Sequence, residues 1–359
     1  MKTLDELLQS AVEMGGSDVF IIPFSPVSTK VNGQIKPIME EKLSLQEIRN
    51  IVDRAYELAG REKNELEREG DDDFSFAIRD VSRFRCNIYR QRGSLAAVFR
   101  IVAFGLPDPK QNHIPDLVMS LADLRSGMVL VTGPAGTGKS TTLACLLDRI
   151  NQTRTGHIIT IEDPIEYLHP HKKCLVSQRE VPEDAVSFAR AVRAALREAP
   201  DVVMLGEMRD IETISTAITA AETGHLLFST LHTVGAAKTI DRVIDAFAAE
   251  QQNQIRTQLS MVLRAVVSQR LLLGTDGSLY PVFEVMTVTP AIQNLIREGK
   301  THQIDNAISG AGSGMLSMDS ELARLAREGL ITKETARAYA IHPETMERQM
   351  RFGTPAPAR

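Results

Sequence analysis

The order of apolar and polar positions divides the chain into two parts with different patterns. In the first part, leucines at helical spacing from Leu4 predict a short amphipathic helix, and a charged helix is expected across 44–69. Asn32–Gly33 is typical of a tight turn. Short apolar stretches predict strands at 19–22, 29–31 and 74–78, and a pair of strands over 84–99 that turns at Gln91–Gly93. The pattern therefore predicts a small α+β domain that ends near residue 103.

From residue 128 onward, short and continuously apolar stretches alternate with helical ones. The apolar stretches predict strands at 128–131, 157–161, 202–205 and 226–231. Strands of this kind indicate a parallel sheet that is covered by helices on both faces, so the expected fold class is α/β. After residue 275 a hairpin-like stretch leads into mostly helical sequence, and residues 353–359 are expected to be frayed.

A proline-rich stretch separates the two patterns. Residues 104–115 contain three prolines and a glycine, which is typical of an interdomain linker or of an ordinary surface loop. We therefore predict an N-terminal domain over 1–103, a linker over 104–115, an α/β core over 116–275 and a mostly helical C-terminal region over 276–359.

Composition and charge argue against several classes of protein. The chain has 359 residues and a formal net charge of −5, which disfavours a dedicated nucleic-acid binder, because such domains are usually strongly basic. Its three cysteines form no CxxC pair, so neither a disulfide framework nor a cysteine zinc site is expected. The amino terminus lacks the pattern of a signal peptide, and no stretch approaches the ~20 apolar residues of a membrane span. We expect a cytoplasmic protein without direct membrane insertion.

A glycine-rich segment between a predicted strand and a predicted helix matches the phosphate-binding pattern GxxxxGK[ST]. Glycines let the backbone curl so that N–H groups point at phosphate oxygens, and the helix adds its positive amino-terminal end. Lys139 is expected on the β- and γ-phosphates and the Ser140 hydroxyl on Mg²⁺. ATP is the expected nucleotide, since no guanine-specific NKxD-type segment is present. The predicted nucleotide-binding residues are Gly133, Pro134, Ala135, Gly136, Thr137, Gly138, Lys139, Ser140 and Thr141.

Hydrolysis also requires an acidic residue near the metal and a group that positions water, and two predicted strands end in carboxylates. The strand at 202–205 leads to Glu207, which we expect to contact Mg²⁺ through water. The strand at 158–161 leads to Glu162, Asp163 and Glu166, one of which is a candidate to accept the proton of the attacking water.

Histidines and arginines supply further candidates. His225 and His232 flank the strand at 226–231, and His232 lies at its carboxyl end, where α/β sheets bind ligands. Arg193 belongs to a basic stripe with Arg190 and Arg197 on one face of a predicted helix. This stripe is either a solvated face or a set of partners for phosphate or the acidic segment.

Taken together, these segments resemble the ATPases of type IV pili and of type II secretion, and among them the pilus retraction ATPases. The similar segments in the core are the glycine-rich loop, 159–167, 206–210 and 223–233. Gly16–Asp18 and residues 83–100 resemble the N-terminal domain of that family, and Gln251–Gln252 and Ser268–Gln269 lie in a stretch that we predict to be helical. The resemblance runs nearly from end to end.

The resemblance implies a PAS-like N-terminal domain, a RecA-like ATPase core and a homohexameric ring. It implies that Glu166 is the catalytic glutamate, that Glu207 is the Walker B carboxylate, and that His225 and His232 form a histidine pair with a catalytic role. It also implies that arginines reach the nucleotide across domains or subunits, and the candidates are Arg83, Arg100 and Arg242.

A C-terminal segment is similar to the AIRNLIRE segment of retraction ATPases, with glutamine in place of the usual arginine. Its residues are Ala291, Ile292, Gln293, Asn294, Leu295, Ile296, Arg297 and Glu298. The resemblance implies that the chain powers pilus retraction and twitching motility. It also implies an inner-membrane platform protein of the PilC type as the partner, which would hold the ATPase at that membrane.

Three other functions are weighed against this one. An assembly or secretion ATPase of the same superfamily usually carries a tetracysteine insertion and a longer N-terminal region, which this sequence lacks. A nucleic-acid translocase is disfavoured by the acidic charge balance. A nucleotide-binding regulator without turnover is disfavoured because Lys139, Ser140, Glu166 and Glu207 are all present.

Overall fold

The computed structural model describes residues 2–31, 33–102, 105–310 and 314–352. Asn32 of the predicted turn, residues 103–104 at the predicted domain boundary and the predicted frayed end at 353–359 lie outside the described residues. By its internal contacts the chain divides into two units. The N-terminal unit comprises Met1–Leu106 and Pro164–Leu168, and the C-terminal unit comprises Pro107–Asp163 and His169–Arg359.

The described residues form α-helices, β-strands and two short 3₁₀ helices at Ser120–Asp123 and Thr301–Gln303. The strands are β1 (Asp18–Ile21), β2 (Pro26–Val31), β3 (Gln34–Lys42), β4 (Asp71–Ile78), β5 (Ser82–Gln91), β6 (Ser94–Ile101), β7 (Gly127–Thr132), β8 (Gly156–Glu162), β9 (Cys174–Glu180), β10 (Val202–Leu205), β11 (Leu226–Leu231), β12 (Leu263–Leu273) and β13 (Leu279–Thr287). The α-helices are α1 (Leu4–Glu13), α2 (Leu45–Ala59), α3 (Asn64–Glu69), α4 (Asp116–Met119), α5 (Lys139–Thr153), α6 (Phe188–Ala195), α7 (Ile211–Glu222), α8 (Ala236–Asp245), α9 (Ala249–Val262), α10 (Pro290–Arg297), α11 (Ile304–Gly310), α12 (Met318–Arg327), α13 (Lys333–Tyr339) and α14 (Pro343–Phe352).

The N-terminal unit is built on a six-stranded antiparallel sheet in the order β3-β2-β1-β6-β5-β4. The helix predicted from Leu4 is confirmed as α1, whose start is fixed by a capping box between Thr3 and Glu6. The single charged helix predicted across 44–69 is instead the pair α2 and α3. Gly60 ends α2 in the left-handed region at φ 62°, where a helix cannot continue.

Strand β3 was not predicted from the sequence. Nearly all of its side chains are exposed, and it contains Pro37. It lies at the edge of the sheet, where a polar strand with a proline is tolerated because one side makes no ladder hydrogen bonds. Without a buried face, the strand has no apolar alternation for a sequence pattern to detect.

The C-terminal unit contains a seven-stranded sheet in the order β13-β12-β7-β11-β10-β8-β9. The four predicted strands lie side by side as β7, β11, β10 and β8, and all of them are parallel. Their side chains alternate between two cores: Met128 and Leu130 of β7 pack with α6–α9, whereas Val129 and Val131 pack with α4 and α5. The α/β fold predicted from the continuously apolar strands is therefore confirmed.

Two strands of this sheet differ from the sequence-based expectation. Ser268 and Gln269 lie in strand β12, so their predicted helical setting is wrong, whereas Gln251–Gln252 lie in helix α9 as expected. Strand β12 pairs with β7 on one side and β13 on the other, and this pairing overrides local helical preference. Strand β9 at the opposite sheet edge was not predicted, because only part of it is buried.

The sheet continues past residue 275, since β13 pairs with β12 along its whole length. Helices α10–α14 follow it, in agreement with the mostly helical sequence predicted for this region. Leu272 and Val282 of the hairpin pack against Met318 and Leu322 of α12 in a separate apolar cluster. Every helix in the described part of the chain falls short of the length and apolar character that a membrane crossing requires.

Candidate functional site

The carboxyl ends of three adjacent parallel strands bring the predicted phosphate loop, His232 and Glu207 to one edge of the seven-stranded sheet. Leu231 at the end of β11 lies opposite Thr132 at the end of β7, and β11 also pairs with β10. Because neighbouring strands lie about 4.8 Å apart, the three strand ends form one continuous rim. We refer to this rim as the carboxyl edge. Ligands of open α/β sheets bind at such an edge.

The glycine-rich loop joins β7 to α5 in the conformation that its sequence predicts. Gly133, Gly136 and Gly138 have φ angles of 143°, 76° and 86°, a region that residues with a side chain rarely adopt. Helix α5 begins at Lys139 with Gly138 as its N-cap, so no capping side chain competes for the first-turn amides. This is the backbone geometry of an anion site at a helix amino terminus.

Lys139 lies inside the loop rather than in solvent. It is only 8% exposed, and its Nζ donates hydrogen bonds of 2.9 Å to the carbonyl oxygens of Gly133 and Pro134. The Thr137 hydroxyl donates to the same Pro134 oxygen at 2.9 Å. The Thr132 hydroxyl, just before the loop, is buried without a hydrogen-bond partner among the described residues. A buried ammonium and an unsatisfied buried hydroxyl beside an open loop fit the binding of a polar ligand such as a nucleotide phosphate.

Gln269 packs against this loop from strand β12, although the sequence patterns did not single it out as a site residue. It is buried on β12, and its Oε1 accepts a 2.9 Å hydrogen bond from the hydroxyl of Thr142 in α5. A Cβ added to Gly133 would lie 2.2 Å from the Gln269 carbonyl oxygen, and one added to Gly138 would lie 3.0 Å from its Nε2. The loop is therefore packed directly against Gln269, and only glycine fits at position 133.

Glu207 follows β10 and lies beside His232. Its side chain is 14% exposed, and its Oε2 is 2.7 Å from Arg209 Nε and 3.5 Å from His232 Nε2. The turn that carries it is fixed by the Gly206 N–H, which donates to the Ile161 oxygen at 2.8 Å, and by the Thr230 hydroxyl, which donates to the Gly206 oxygen at 2.5 Å. Both neighbouring strands thus hold this carboxylate at the carboxyl edge.

The segment after His232 is anchored by buried polar groups from β12 and β13. The Gly235 N–H donates to the Ser268 hydroxyl at 2.9 Å, and the Ala236 N–H at the start of α8 donates to Glu284 Oε1 at 2.9 Å. Burial raises the pKa of Glu284 to about 7, despite the stabilising hydrogen bond from Ala236. The sequence predicts no role for Ser268 or Glu284, because their anchoring of this segment depends on pairing between distant strands.

The acidic segment after β8 divides between two settings. Glu162 is buried at the end of the strand, where its Oε1 accepts hydrogen bonds from Thr160 at 2.6 Å and Gln178 at 3.2 Å. Glu166 is exposed and lies in Pro164–Leu168, which groups with the N-terminal unit. Of the three carboxylates considered, Glu162 supports the sheet, whereas Asp163 and Glu166 are exposed.

His225 lies at the end of β11 that is opposite to His232. Residue 226 pairs with Gly127 at the start of β7, so the length of the strand, about 17–20 Å, separates His225 from the phosphate loop of the same chain. Its Nδ1 lies 3.0 Å from the Ala220 oxygen and 3.1 Å from the Thr223 hydroxyl. The structure does not bring the two histidines together, and the predicted catalytic role of His225 gains no support from its position.

The predicted phosphate-contacting arginines have different surroundings. Arg193 of α6 pairs with Glu212 at 2.5 Å rather than with the acidic segment, and Arg197 of the same stripe lies beyond the end of α6. In the N-terminal unit, Arg100 of β6 pairs with Asp18 at 3.0 Å, and Arg83 lies on β5. Arg242 is exposed in the last turn of α8. Arg193 forms an exposed ion pair with Glu212, and the phosphate contacts of all four arginines stay predictions.

The segment predicted to act in retraction forms helix α10 and its C-cap. Ile292 and Ile296 are fully buried in the core, and Leu295 packs against it. Ala291, Asn294, Arg297 and Glu298 are exposed. The apolar residues of this segment therefore attach the helix, and its polar residues form a surface.

Comparisons with known proteins extend over nearly the whole chain. A family model described as type II/IV secretion system protein matches residues 1–278. The type IV pilus retraction ATPase PilT of Pseudomonas aeruginosa is 44% identical over 343 residues, which cover 95% of this chain and 99% of that protein. The type IV pilus ATPase PilU of the same organism is 37% identical over 356 residues, which cover 99% of this chain and 93% of that protein.

A solved structure agrees with these matches. The crystal structure of the pilus retraction motor PilT with bound ADP has a TM-score of 0.88 and 43% identity, and the match covers 97% of this chain and 100% of that one. Coverage of this extent includes both sheets.

Proposed function

Because the chain belongs to the type II/IV secretion system protein family, and is an ATPase of that family, we propose that it hydrolyses ATP to retract and disassemble a type IV pilus. The observation that supports this proposal best is the match to a retraction ATPase over nearly the full length of both chains. A retraction motor of this kind would drive twitching motility.

The carboxyl edge supplies the groups that ATP hydrolysis needs. The loop amides and the amino terminus of α5 bind the phosphates, and Lys139 exchanges its two carbonyl partners for phosphate oxygens. Ser140 and, through water, Glu207 are the residues that would hold Mg²⁺, which neutralises charge on the phosphates. We propose that His232 responds to the γ-phosphate, and its contact with Glu207 and its position next to the phosphate loop support this role.

Glu166 is the proposed acceptor of the proton from the attacking water. Its exposure agrees with a role that is completed only when nucleotide or a neighbouring subunit is bound. We propose that the chain acts as a homohexamer, in which Arg83, Arg100 or Arg242 reach a nucleotide bound to another subunit. The exposed face of α10 is the proposed contact with an inner-membrane platform protein, which would place the motor at that membrane.

Motility and phosphate release together test this proposal. Glu166→Gln should abolish both ATP turnover and pilus retraction, because the amide cannot accept the proton, while the variant still binds ATP. Glu41→Gln, an exposed glutamate on β3, is the matched control and should leave both at the wild-type level. Normal turnover by Glu166→Gln would remove Glu166 from this role. ATP turnover by a wild-type protein that has no effect on pili would contradict retraction.

The exposed face of α10 is tested separately. Arg297→Ala should leave phosphate release unchanged and impair retraction, because the side chain is exposed on α10, outside the segments that form the carboxyl edge. Lys333→Ala, an exposed cation at the start of α13, is the control. Unimpaired retraction by Arg297→Ala would remove this residue from the platform contact.

A further inference from the structure

A second polar site lies at the edge of the seven-stranded sheet that is opposite to the phosphate loop. A cavity of about 220 Å³ opens where β8, β10 and β11 begin. Its polar lining includes the side chains of Arg125, Arg154, His157, Asp201 and His225. We call this rim the amino edge. The parallel strands run from the amino edge to the carboxyl edge, so the cavity is separate from the nucleotide site of its own chain.

Two guanidinium groups dominate the charge of the cavity. Arg154 donates a hydrogen bond of 2.6 Å from Nη1 to the Leu124 carbonyl oxygen, which fixes the side chain without neutralising it. Arg125 has no hydrogen bond or ion pair to any of the residues that the structure describes. Burial and the nearby Arg125 both lower the pKa of Arg154. Two cations held this close repel each other unless an anion lies between them.

The carboxylates near the cavity do not balance these cations. Asp201 is the acidic residue of the lining, and its Oδ2 already accepts the His157 backbone N–H at 2.8 Å. Asp123, which also faces Arg154, pairs with Arg149 at 3.1 Å. Glu198 pairs with Arg179 at 3.3 Å. The lining therefore retains a net positive charge.

The two histidines of the cavity differ in the atoms that they leave available. Both ring nitrogens of His157 have partners, since Nδ1 lies 2.9 Å from the Glu198 oxygen and Nε2 lies 2.9 Å from the Ser177 hydroxyl. In His225, Nδ1 lies 3.0 Å from the Ala220 carbonyl oxygen, which accepts only, so this nitrogen carries a proton. Its Nε2 has no hydrogen-bond partner among the residues that the structure describes.

We propose that the cavity binds a small, multiply charged oxyanion of the phosphate class between Arg125 and Arg154, with His225 at its border. The planar fork of a guanidinium group matches the oxygens of phosphate, and two forks on one anion give both affinity and orientation. The cavity volume is below the roughly 300 Å³ at which sites for drug-sized ligands begin, which favours phosphate or pyrophosphate over a whole nucleotide. This site is additional to the proposed ATPase function and does not depend on it.

Calorimetric titration of the full-length protein tests the proposal once Mg-ADP has filled the phosphate loop. Inorganic phosphate, pyrophosphate and AMP are the three probes. We expect saturable binding of at least one probe, weakened about tenfold or more by Arg125→Gln, because a charge-assisted contact is lost. Arg125 is exposed and has no partner among the described residues, so this variant should keep the wild-type melting temperature. Arg79→Gln, an exposed arginine in the N-terminal unit, is the matched control and should bind as the wild type does.

The probes separate two sources of the anion. Tighter binding of phosphate or pyrophosphate supports a free oxyanion, whereas binding of AMP that Arg125→Gln weakens supports the same cavity with a phosphomonoester as its ligand. No saturable binding of any probe up to about 20 mM would overturn the proposal, because a dissociation constant above that concentration is too weak for specific recognition. Equal affinities for the wild type and Arg125→Gln would also overturn it, since the anion would then lie in the γ-phosphate position or elsewhere.

Discussion

The two edges of the seven-stranded sheet both collect polar side chains, but they are built in different ways. At the carboxyl edge, the predicted phosphate-binding residues form one continuous segment, 133–141, and Glu207 and His232 follow neighbouring strands of the sheet. At the amino edge, the cavity is assembled from residues of five separate segments, among them Arg125, Arg154 and His225. A contiguous motif is visible in a sequence, whereas a dispersed site becomes visible only when the strands are paired.

The difference also concerns how the cations are held. At the carboxyl edge, Lys139 is buried and donates to two carbonyl oxygens of its own loop, so the site is organised before a ligand arrives. At the amino edge, Arg125 has no hydrogen-bond partner in the described part of the chain. We infer that the cations of the nucleotide site at the carboxyl edge are preorganised, whereas Arg125 of the anion site at the amino edge is held less rigidly.

Removal of the loop lysine should have the largest effect. Lys139→Ala should weaken ADP and ATP binding by about 100-fold or more, because one charge-assisted donor of a preorganised phosphate site is lost. Calorimetric binding constants measure this, with Lys333→Ala as the matched control. The same variant should bind phosphate at the amino edge as the wild type does. If Lys139→Ala abolished both binding events, the two edges would not be separate sites.

The histidine at the carboxyl edge should affect turnover more than binding. His232→Asn should lower kcat by about tenfold or more, because the contact to Glu207 beside the loop is removed. ADP affinity should change by less than about threefold, since no loop contact is lost. His302→Asn, an exposed histidine in a 3₁₀ helix, is the control for loss of an imidazole. A parallel loss of kcat and ADP affinity would mean that His232 only supports the fold.

Gln269 tests whether the carboxyl edge depends on a neighbouring strand. Gln269→Ala leaves the Thr142 hydroxyl without its buried acceptor and should lower stability by about 1–3 kcal/mol. It should also weaken ADP binding by about tenfold, because the loop loses the side chain against which it packs. Thermal melting and calorimetry measure the two effects, with the exposed Gln251→Ala as the control. A destabilised variant with unchanged ADP affinity would separate Gln269 from nucleotide binding.

Glu284 should have the smallest effect on turnover and a measurable effect on stability. Its pKa is raised to about 7 in the folded chain from an ordinary 4.5, so the native state binds more protons between these values and loses stability as the pH rises through them. Glu284→Gln removes the ionisable group and keeps an acceptor for the Ala236 N–H. The melting temperature of the variant relative to the wild type should therefore rise between pH 5 and pH 8, by at least about 3 °C. An unchanged difference across this range would contradict the burial of an ionisable group at this position.

Much of the fold and of the carboxyl edge could be predicted from the sequence. The apolar strands β7, β8, β10 and β11 are continuous because both faces of the sheet are covered, and this makes them easy to recognise. Each is followed by a short polar segment, so the phosphate loop, Glu207 and His232 could be assigned to one edge before the structure was known. The carboxyl ends of parallel strands always meet at the same edge.

Other features depend on pairing between distant segments and could not be predicted. The edge strands β3 and β9 have little or no buried alternation. Gln269 lies in a strand whose sequence we predicted to be helical, and its role follows only from the pairing of β12 with β7. His225 and His232 flank the same predicted strand, so their separation could be predicted, whereas the cavity beside His225 becomes visible only once β8, β10 and β11 are paired.

Phosphate release from ATP by Glu207→Gln tests most directly the claim that the carboxyl edge is the hydrolytic site. We predict that this variant binds ATP with nearly wild-type affinity. Its rate of phosphate release should fall by about 100-fold or more, because the carboxylate next to His232 is replaced by a neutral amide. Glu250→Gln, an exposed glutamate at the start of α9, should turn over ATP at the wild-type rate. Turnover by Glu207→Gln within a few-fold of the wild-type rate would contradict the account.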